Sequence, residues 1–350
     1  MPRRTQTTLK DVALSLGMHK STISLALSGK GTLAEETRHR IRQTAREMGY
    51  APNPLAQRLA RGVESNTVCI LSGDLDVGIS TEKILRIQKA LGGEGFETPL
   101  HICPSLSEEG AARQASQIRN LCDQRPLALV CAAQRFYPQV LAELERYSLR
   151  GGVLVCYDTP VALGCDQVVF DREENAYRAA RFLLDAGHRT IGLGMSPPTQ
   201  PGNPADPPVA RLRGFRRALD EFGVRFRPEW DFRNSLYEPG GVALARQFLA
   251  LAERPTALAI VNDYVALAFM TEVIRAGVRI PEDLSVIGHD NQPIAAFCPV
   301  PLTSATQPIE RIAVAVVERL KARLDGEDDP PKTVSIAGEI VERGSVACPA

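Results

Sequence analysis

The sequence predicts a chain in two parts: a small all-helical head, then an α/β body of two doubly wound parallel-sheet subdomains. Three observations carry that reading. The first is charge. The 350 residues hold 41 Lys+Arg and 41 Asp+Glu, but residues 1–62 carry 11 basic and 4 acidic side chains, leaving 30 and 37 for the rest. A neutral total therefore joins a head of +7 to a body of −7. The second is period: apolar residues of the head recur at helical spacing between glycine stops. The third is a change of pattern from residue 67, where short continuous apolar runs alternate with amphipathic stretches, as in parallel sheets covered on both faces.

Composition narrows the class. A chain 44% hydrophobic and 23% charged is that of a folded globular protein. Its eight cysteines include no C-x-x-C pair and no His at metal-ligand spacing. Cys69, Cys131, Cys156 and Cys298 sit among apolar neighbours, so they read as buried free thiols of a reducing compartment. No metal and no cofactor are expected. Arg3 and Arg4 are followed by an amphipathic stretch rather than a signal-peptide core. No run approaches the ~18 apolar residues of a membrane span, so a cytoplasmic protein is expected.

In the head, Thr8 and Asp11 form a capping-box pattern. Leu9, Val12, Ala13 and Leu16 then make one apolar stripe, and Gly17 supplies the positive φ that stops the helix. A second helix starts near Lys20, buries Ile23, Ala26 and Leu27, and turns Lys20, Ser21, Thr22, Ser24 and Leu25 outward. Two short helices about a glycine turn form a helix-turn-helix unit, whose hydroxyls and lysine suit phosphates and base edges. An ordinary helical hairpin with a solvated polar face fits those 20 residues equally well. A third helix over 35–48 sets Ile41, Ala45 and Met48 on one face and ends at Gly49. It adds Arg38, Arg40, Arg42 and Arg46, with Glu35 and Glu36 at the positive end of its dipole. Three short helices with this charge point to a DNA-binding module. In residues 50–62, Asn53 is a good N-cap, Pro54 suits the first helical position, and Gly62 ends the segment. So short a helix is marginal alone and should fold only against a partner surface.

Residues 8–62 resemble the head and hinge of the LacI/GalR family of bacterial transcription regulators. T-L-K-D-V-A, S-T-I-S-L-A-L-S-G, E-T-R-x-R-I, G-Y-x-P-N and A-Q-R-L appear in order and at the family's spacing. The resemblance implies a head over 1–51, a hinge helix over 52–62 and a body over 63–350. It implies that Lys20, Ser21 and Leu25 face base edges and that Thr22 and Ser24 hold phosphates. Thr8, Tyr50, Asn53 and Ala56 join the DNA-contact set. Leu59 would wedge into the central base step where two hinge helices pair in the minor groove; its alternative is packing on the head. Two departures stand out. Leu25 replaces a hydrogen-bonding residue and offers only apolar contact, such as to a thymine methyl. His19 and Ala34 stand where Ser or Thr caps are usual, and loss of a cap costs about 1 kcal/mol.

In the body, strands are expected at 68–71, 127–131, 153–157, 190–193, 257–261 and 284–288. Helices are expected at 81–91, 108–121, 174–186, 210–222, 242–251 and 264–276. That alternation is too long for one sheet, and two subdomains place a ligand at the strand ends between them. No P-loop, complete dinucleotide fingerprint, G-x-S-x-G or H-E-x-x-H motif occurs, and His188 reads as structural, so an enzyme is not expected.

The body continues the resemblance, looking like a periplasmic-binding-protein-type effector domain through L-L-D-A-G-H-R-T-I, A-R-L-R-G-F, V-N-D, L-S-V-I-G-H-D-N and P-L-T-S-A-T-Q. It places Arg211, Asn262 and Asp290 in the effector cleft, with Asp158, Trp230 and Gln307 as further candidates. Arg211 offers a planar fork of donors, Asp290 an acceptor for hydroxyls, and Trp230 a face for stacking on a sugar. A structural Arg211–Asp290 ion pair is the alternative, as is a core or surface position for Trp230. Two segments depart from the family: D-V-G-I-S at 76–80, and 196–208 with six prolines in thirteen positions.

The function expected is a DNA-binding transcriptional regulator, a repressor in type, controlled by a small effector, a sugar or sugar derivative. A homodimer on pseudo-palindromic operator DNA follows from two heads and two half-sites, and no heptad helix follows E-R-G-S-V. The alternative is a sugar-receptor-like binding protein without a regulatory role.

Overall fold

The computed structural model describes residues 7–28, 33–50, 65–73, 78–103, 108–132, 137–199 and 202–349. The chain divides into two compact units, 1–65 and 66–350.

The first unit holds α1 (Leu9–Leu16), α2 (Lys20–Ser28) and α3 (Glu35–Glu47). Thr8 caps α1 with both halves of the capping box. Its hydroxyl accepts from the Asp11 amide at 3.3 Å, and its own amide donates to Asp11 Oδ2 at 2.8 Å. Gly17 sits at φ +61, which lets the Met18 amide reach back to Ala13 O and sets the tight turn into α2. Val12, Ala13, Ile23, Ala26, Ile41 and Ala45 form the core, ringed by Leu9, Leu16, Leu27, Met48 and Tyr50. Ala34 leaves α3 without a side-chain cap, as expected. His19 corrects the other expectation, because its Nδ1 lies 2.8 Å from the Ser21 hydroxyl and accepts the Ser21 amide at 3.4 Å. An imidazole there takes over part of the missing cap. The predicted hinge, with Asn53, Pro54, Ala56, Leu59 and Gly62, lies outside the described residues.

The second unit contains two six-stranded sheets. The first is built from β1 (Val68–Ser72), β2 (Leu100–Ile102), β3 (Ala128–Ala132), β4 (Val153–Asp158), β5 (Asp166–Phe170) and β11 (Thr333–Ile336). Its order is β11-β5-β4-β3-β1-β2, parallel throughout. One face packs on α4 (Ile79–Gly93) and α12 (Ile309–Leu324), the other on α5 (Glu108–Asp123) and α6 (Pro138–Leu149). The second sheet comprises β6 (Ile191–Met195), β7 (Asp231–Arg233), β8 (Ala257–Ile260), β9 (Ser285–Asp290), β10 (Thr303–Thr306) and β12 (Ile340–Val341). Its order is β12-β10-β9-β8-β6-β7, with only β12 antiparallel. Around it lie α7 (Arg172–Asp185), α8 (Pro207–Glu221), α9 (Glu238–Ala250), α10 (Asp263–Arg275) and the short α11 (Ile294–Phe297).

The chain crosses between the sheets three times, from β5 into α7, from β10 into α12 and from β11 into β12. The crossings are laced together: Asn175 Oδ1 accepts the Gly338 amide at 3.0 Å, and Asp171 Oδ2 accepts the Ser335 hydroxyl at 2.9 Å. All three leave from carboxyl ends of strands, so those ends face a shared cleft. Gly214 shows why R-L-R-G-F needs its glycine: a Cβ there would stand 1.9 Å from Glu173 O, where α8 crosses α7.

Each strand and helix expected in the body has its counterpart. The expectation did not single out β2, β5, β7, β10, β11, β12, α6, α11 or α12. Several are edge strands of two to four residues, and β10 reads T-S-A-T, a polar run that is nonetheless mostly buried.

Candidate nucleic-acid interface and ligand cleft

On the head, Lys20, Ser21, Ser24 and Leu25 are exposed along one side of α2, and Thr22 is half-buried. Leu25 stands 43% exposed, an apolar tip among hydroxyls and a lysine. Such a surface can hold phosphates through Lys20 and the serines while Leu25 meets a base edge by apolar contact. Exposed Arg40, Arg42 and Arg46 on α3 add positive charge. Thr8 is exposed but its hydroxyl is engaged with Asp11 at 2.7 Å, which makes it first a helix cap. Tyr50 is half-buried against the head core, and burial raises its phenol above the ordinary value.

In the body, the candidates separate into a cluster and two structural residues. Asp158 ends β4 and Asp290 ends β9, both at positive φ, +80 and +94. Asp158 is 1% exposed and is clamped by two cations. Lys83 Nζ pairs with Oδ1, while Arg172 donates to Oδ2 at 2.5 Å and to the backbone carbonyl at 2.9 Å. Burial draws Lys83 below the ordinary lysine value, with Asp158 opposing. Asp290 is half-buried and accepts from Gln307 Nε2 at 2.5 Å. Burial raises its carboxyl, against the Gln307 bond and the charges of Arg211, Lys83 and Arg172.

Arg211, on α8, joins the same electrostatic cluster but makes no hydrogen bond or ion pair among the described residues. Burial first, and then Arg172, holds it down to about 10, against the pull of Asp290 and Asp158. The structural Arg211–Asp290 ion pair, the alternative to a ligand site, is therefore not formed among the described residues; the two sense each other without touching. His289, just before Asp290, is pushed down to about 4 by burial and by Arg211, and its Nδ1 lies 2.8 Å from Ile260 O. It is a neutral ring.

Two candidates fall outside the cluster. Trp230 is 2% exposed in a turn before β7, at the opposite end of the strands. Its indole donates to Glu253 O at 3.2 Å and Arg227 stacks on it at 4.1 Å. This corrects its assignment as a ligand-stacking residue: it closes the base of the second sheet. Asn262 caps α10, its Oδ1 accepting from Val265 N at 2.8 Å and its Nδ2 donating to Leu236 O at 2.8 Å. It stands at the carboxyl end of β8, with its amide committed to local structure.

Sequence reasoning missed Lys83 and Arg172. Lys83 sits one place before Ile84 on an amphipathic helix, and Arg172 follows the Asp171 cap as an ordinary first-turn residue would. His188 is structural as read, bonded to Thr256 at 2.9 Å and to Ala347 O at 3.0 Å. Cys69, Cys131 and Cys156 are buried thiols, while Cys298 is only half-buried. No described helix is long and apolar enough to cross a membrane.

A family profile described as bacterial regulatory proteins, lacI family, matches residues 8–53, and one described as periplasmic binding protein-like domain matches 180–346. Over 340 residues the chain is 28% identical to the HTH-type transcriptional repressor PurR of Pectobacterium carotovorum subsp. carotovorum, covering 97% of both chains. The Lac repressor dimer bound to operator and the anti-inducer ONPF shares the fold with a TM-score of 0.74 at 21% identity, over 98% of this chain and 100% of that one. A complex of the transcriptional regulator CelR with cellobiose gives 0.69 at 23% identity, over 97% and 100%.

Proposed function

We propose that this chain, which belongs to the LacI/GalR family of bacterial transcription regulators, reads operator DNA with α2 and takes its effector onto the cluster around Arg211 and Asp290. It is a DNA-binding, ligand-responsive transcriptional repressor rather than an enzyme. The observation that carries the site assignment is Arg211, a half-buried guanidinium with no hydrogen-bond or ion-pair partner among the described residues. A donor fork so placed is satisfied by a ligand. The effector is a sugar or sugar derivative, a reading supported by the cellobiose bound to CelR. Asp158 acts as positioning residue for Lys83 and Arg172, and Gln307 for Asp290.

The working unit is a homodimer on a pseudo-palindromic site, supported by the Lac repressor dimer on its operator. Its divisions are a head over 1–51, a hinge over 52–62 and a body over 63–350, and it acts in the cytoplasm, where the DNA is. Effector binding biases the relative set of the two sheets across the three crossings. It changes operator affinity only by as much as it binds the two arrangements differently.

Gel-shift titration on the chain's own promoter region tests this reading. Specific binding should weaken steeply as salt rises, and absence of specific binding with or without sugars would refute it. Leu59→Ala should lower operator affinity about tenfold or more and reduce bending while leaving effector affinity intact. Equal DNA affinity in that variant would remove Leu59 from the interface.

A further inference from the structure

The bonds left unmade around Arg211 divide into a donor end and an acceptor end. At the donor end, Arg172 is 9% exposed; its Nη atoms go to Asp158, and its Nε–H has no acceptor among the described residues. Arg211 has no hydrogen-bond or ion-pair partner among the described residues, and the charge of Arg172 bears on it. Two guanidinium groups thus bear on each other, and among the described residues no anion is in contact with Arg211. Asp158 takes Lys83 on Oδ1 and Arg172 on Oδ2 and acts on Arg211 only at a distance. Asp290 is held by Gln307 and acts on Arg211 only at a distance.

At the acceptor end, Gln307 is 8% exposed with Oε1 unpartnered. Its Nε2 is bonded to the Asp290 carboxylate, and His289 Nε2, next along β9, also lacks a donor among the described residues. These atoms suit hydroxyl donors. A hydroxyl could also accept charge-assisted bonds from the arginines, but only a negative charge also relieves their mutual repulsion.

We propose that the effector is an anionic polyol, with a carboxylate or phosphate oxyanion lodged between Arg172 Nε and the Arg211 fork and hydroxyls turned toward Asp290 and Gln307. This rests on the reading of the cluster as the effector site. The oxyanion accepts from both guanidinium groups, and the hydroxyls fill Gln307 Oε1 and the free oxygen of Asp290.

The test is calorimetric titration of the full-length protein with matched series. D-glucuronate, D-galacturonate and D-gluconate form the carboxylate arm, D-glucose 6-phosphate and D-galactose 6-phosphate the phosphate arm, and D-glucose and D-galactose the neutral arm. At least one anion should bind about tenfold or more tightly than its neutral parent, and the winning arm names the oxyanion. Arg172→Gln keeps the Lys83–Asp158 pair and should cut that preference below about threefold; Arg172→Lys, which keeps the charge but lacks Nε, should retain part of it. A neutral sugar binding as tightly as its acid, or no anion binding, overturns the proposal. So does an unchanged preference in Arg172→Gln. Gel shifts run in parallel separate the two readings. Specific DNA binding modulated by a neutral sugar sinks the anionic effector alone, whereas absence of specific DNA binding sinks the regulator.

Discussion

The two sheets of the body share a strand order, so β4 and β9 hold matching places, and each ends in an aspartate at positive φ. The company those aspartates keep differs. In the first lobe, buried carboxylates are held by cations. Asp158 lies between Lys83 and Arg172, and Asp166 between Arg319 at 2.7 Å and Arg323 at 2.8 Å. In the second lobe they are held by neutral donors: Asp263 by the Ser304 hydroxyl at 2.7 Å and the Gln292 amide at 2.6 Å, and Asp290 by Gln307. One backbone plan thus carries two electrostatic strategies. Ion pairs tie the first lobe to its crossings, while the carboxylates of the second are held by hydrogen bonds from uncharged donors.

The largest effect that sharpens this contrast is expected at Asp158. Asp158→Asn leaves Lys83 and Arg172 buried without a counter-charge, and removing one partner of such a cluster costs about 3–5 kcal/mol. Urea unfolding followed by circular dichroism should show the midpoint fall by that equivalent. A loss below about 1 kcal/mol would mean that the cluster is solvated like a surface pair, and the contrast would break.

The next effect is on pH, where the lobes should respond with opposite sign. Burial pushes Asp263 up to about 7, against bonds from Ser304 and Gln292. Its folded value lies above the ordinary 3.8, so its stabilisation is complete below that value and is lost as pH rises through about 7. Asp263→Asn should flatten the decline in stability between pH 5 and 8, by a change on the order of 2 kcal/mol. Asp166 moves the other way. Burial raises its carboxyl, but Arg323, the Lys332 amide and Arg319 outweigh that and leave it lowered. Its contribution is present above the unfolded value and disappears as pH falls through the folded one. Arg323→Gln should therefore move acid unfolding to higher pH. Melting curves across pH check both, and a common sign would refute the division.

How much of this was legible follows from where the constraint acts. The head is a problem of period: Val12, Ala13, Ile23, Ala26, Ile41 and Ala45 are its core, and helix spacing alone picks them out. Gly17 and Gly49 take positive φ where the pattern stops. In the body, apolar strands such as V-C-I-L and A-L-V-C-A declare themselves, whereas D-Q-V-V-F and T-S-A-T are buried in spite of their polarity, because tertiary partners satisfy them. Asp166 is a buried charge only because arginines more than 150 residues away reach it. The cleft shows the same limit. Arg211 and Asp290 were found through motif resemblance, and the structure brings their charges together without contact. Lys83 and Arg172 carry no local sign of burial, since charged residues near each on its own helix, such as Arg86 and Arg178, stay at least partly exposed. Trp230 misled for the opposite reason: a lone tryptophan suits a sugar face and a core equally, and packing decided.

The smallest stability effect bears most directly on the contrast. Asp290→Asn retains an acceptor for the Gln307 amide and removes a charge that burial disfavours. Asn also tolerates the positive φ of +94 at this position. Stability of the ligand-free protein at pH 7 should therefore change by no more than about 0.5 kcal/mol, with a gain as admissible as a loss. Effector binding should nevertheless fall about tenfold or more, because hydroxyls lose a charged acceptor. The paired measurement is urea unfolding of Asp158→Asn and Asp290→Asn side by side, with calorimetry on the second. Equal losses of stability would make Asp290 a structural counter-ion of Arg211 acting across the cleft, the alternative its sequence position allowed. Unequal losses, with binding impaired only mildly, would place the ligand's hydroxyls on Gln307 and His289 and leave Asp290 to orient them.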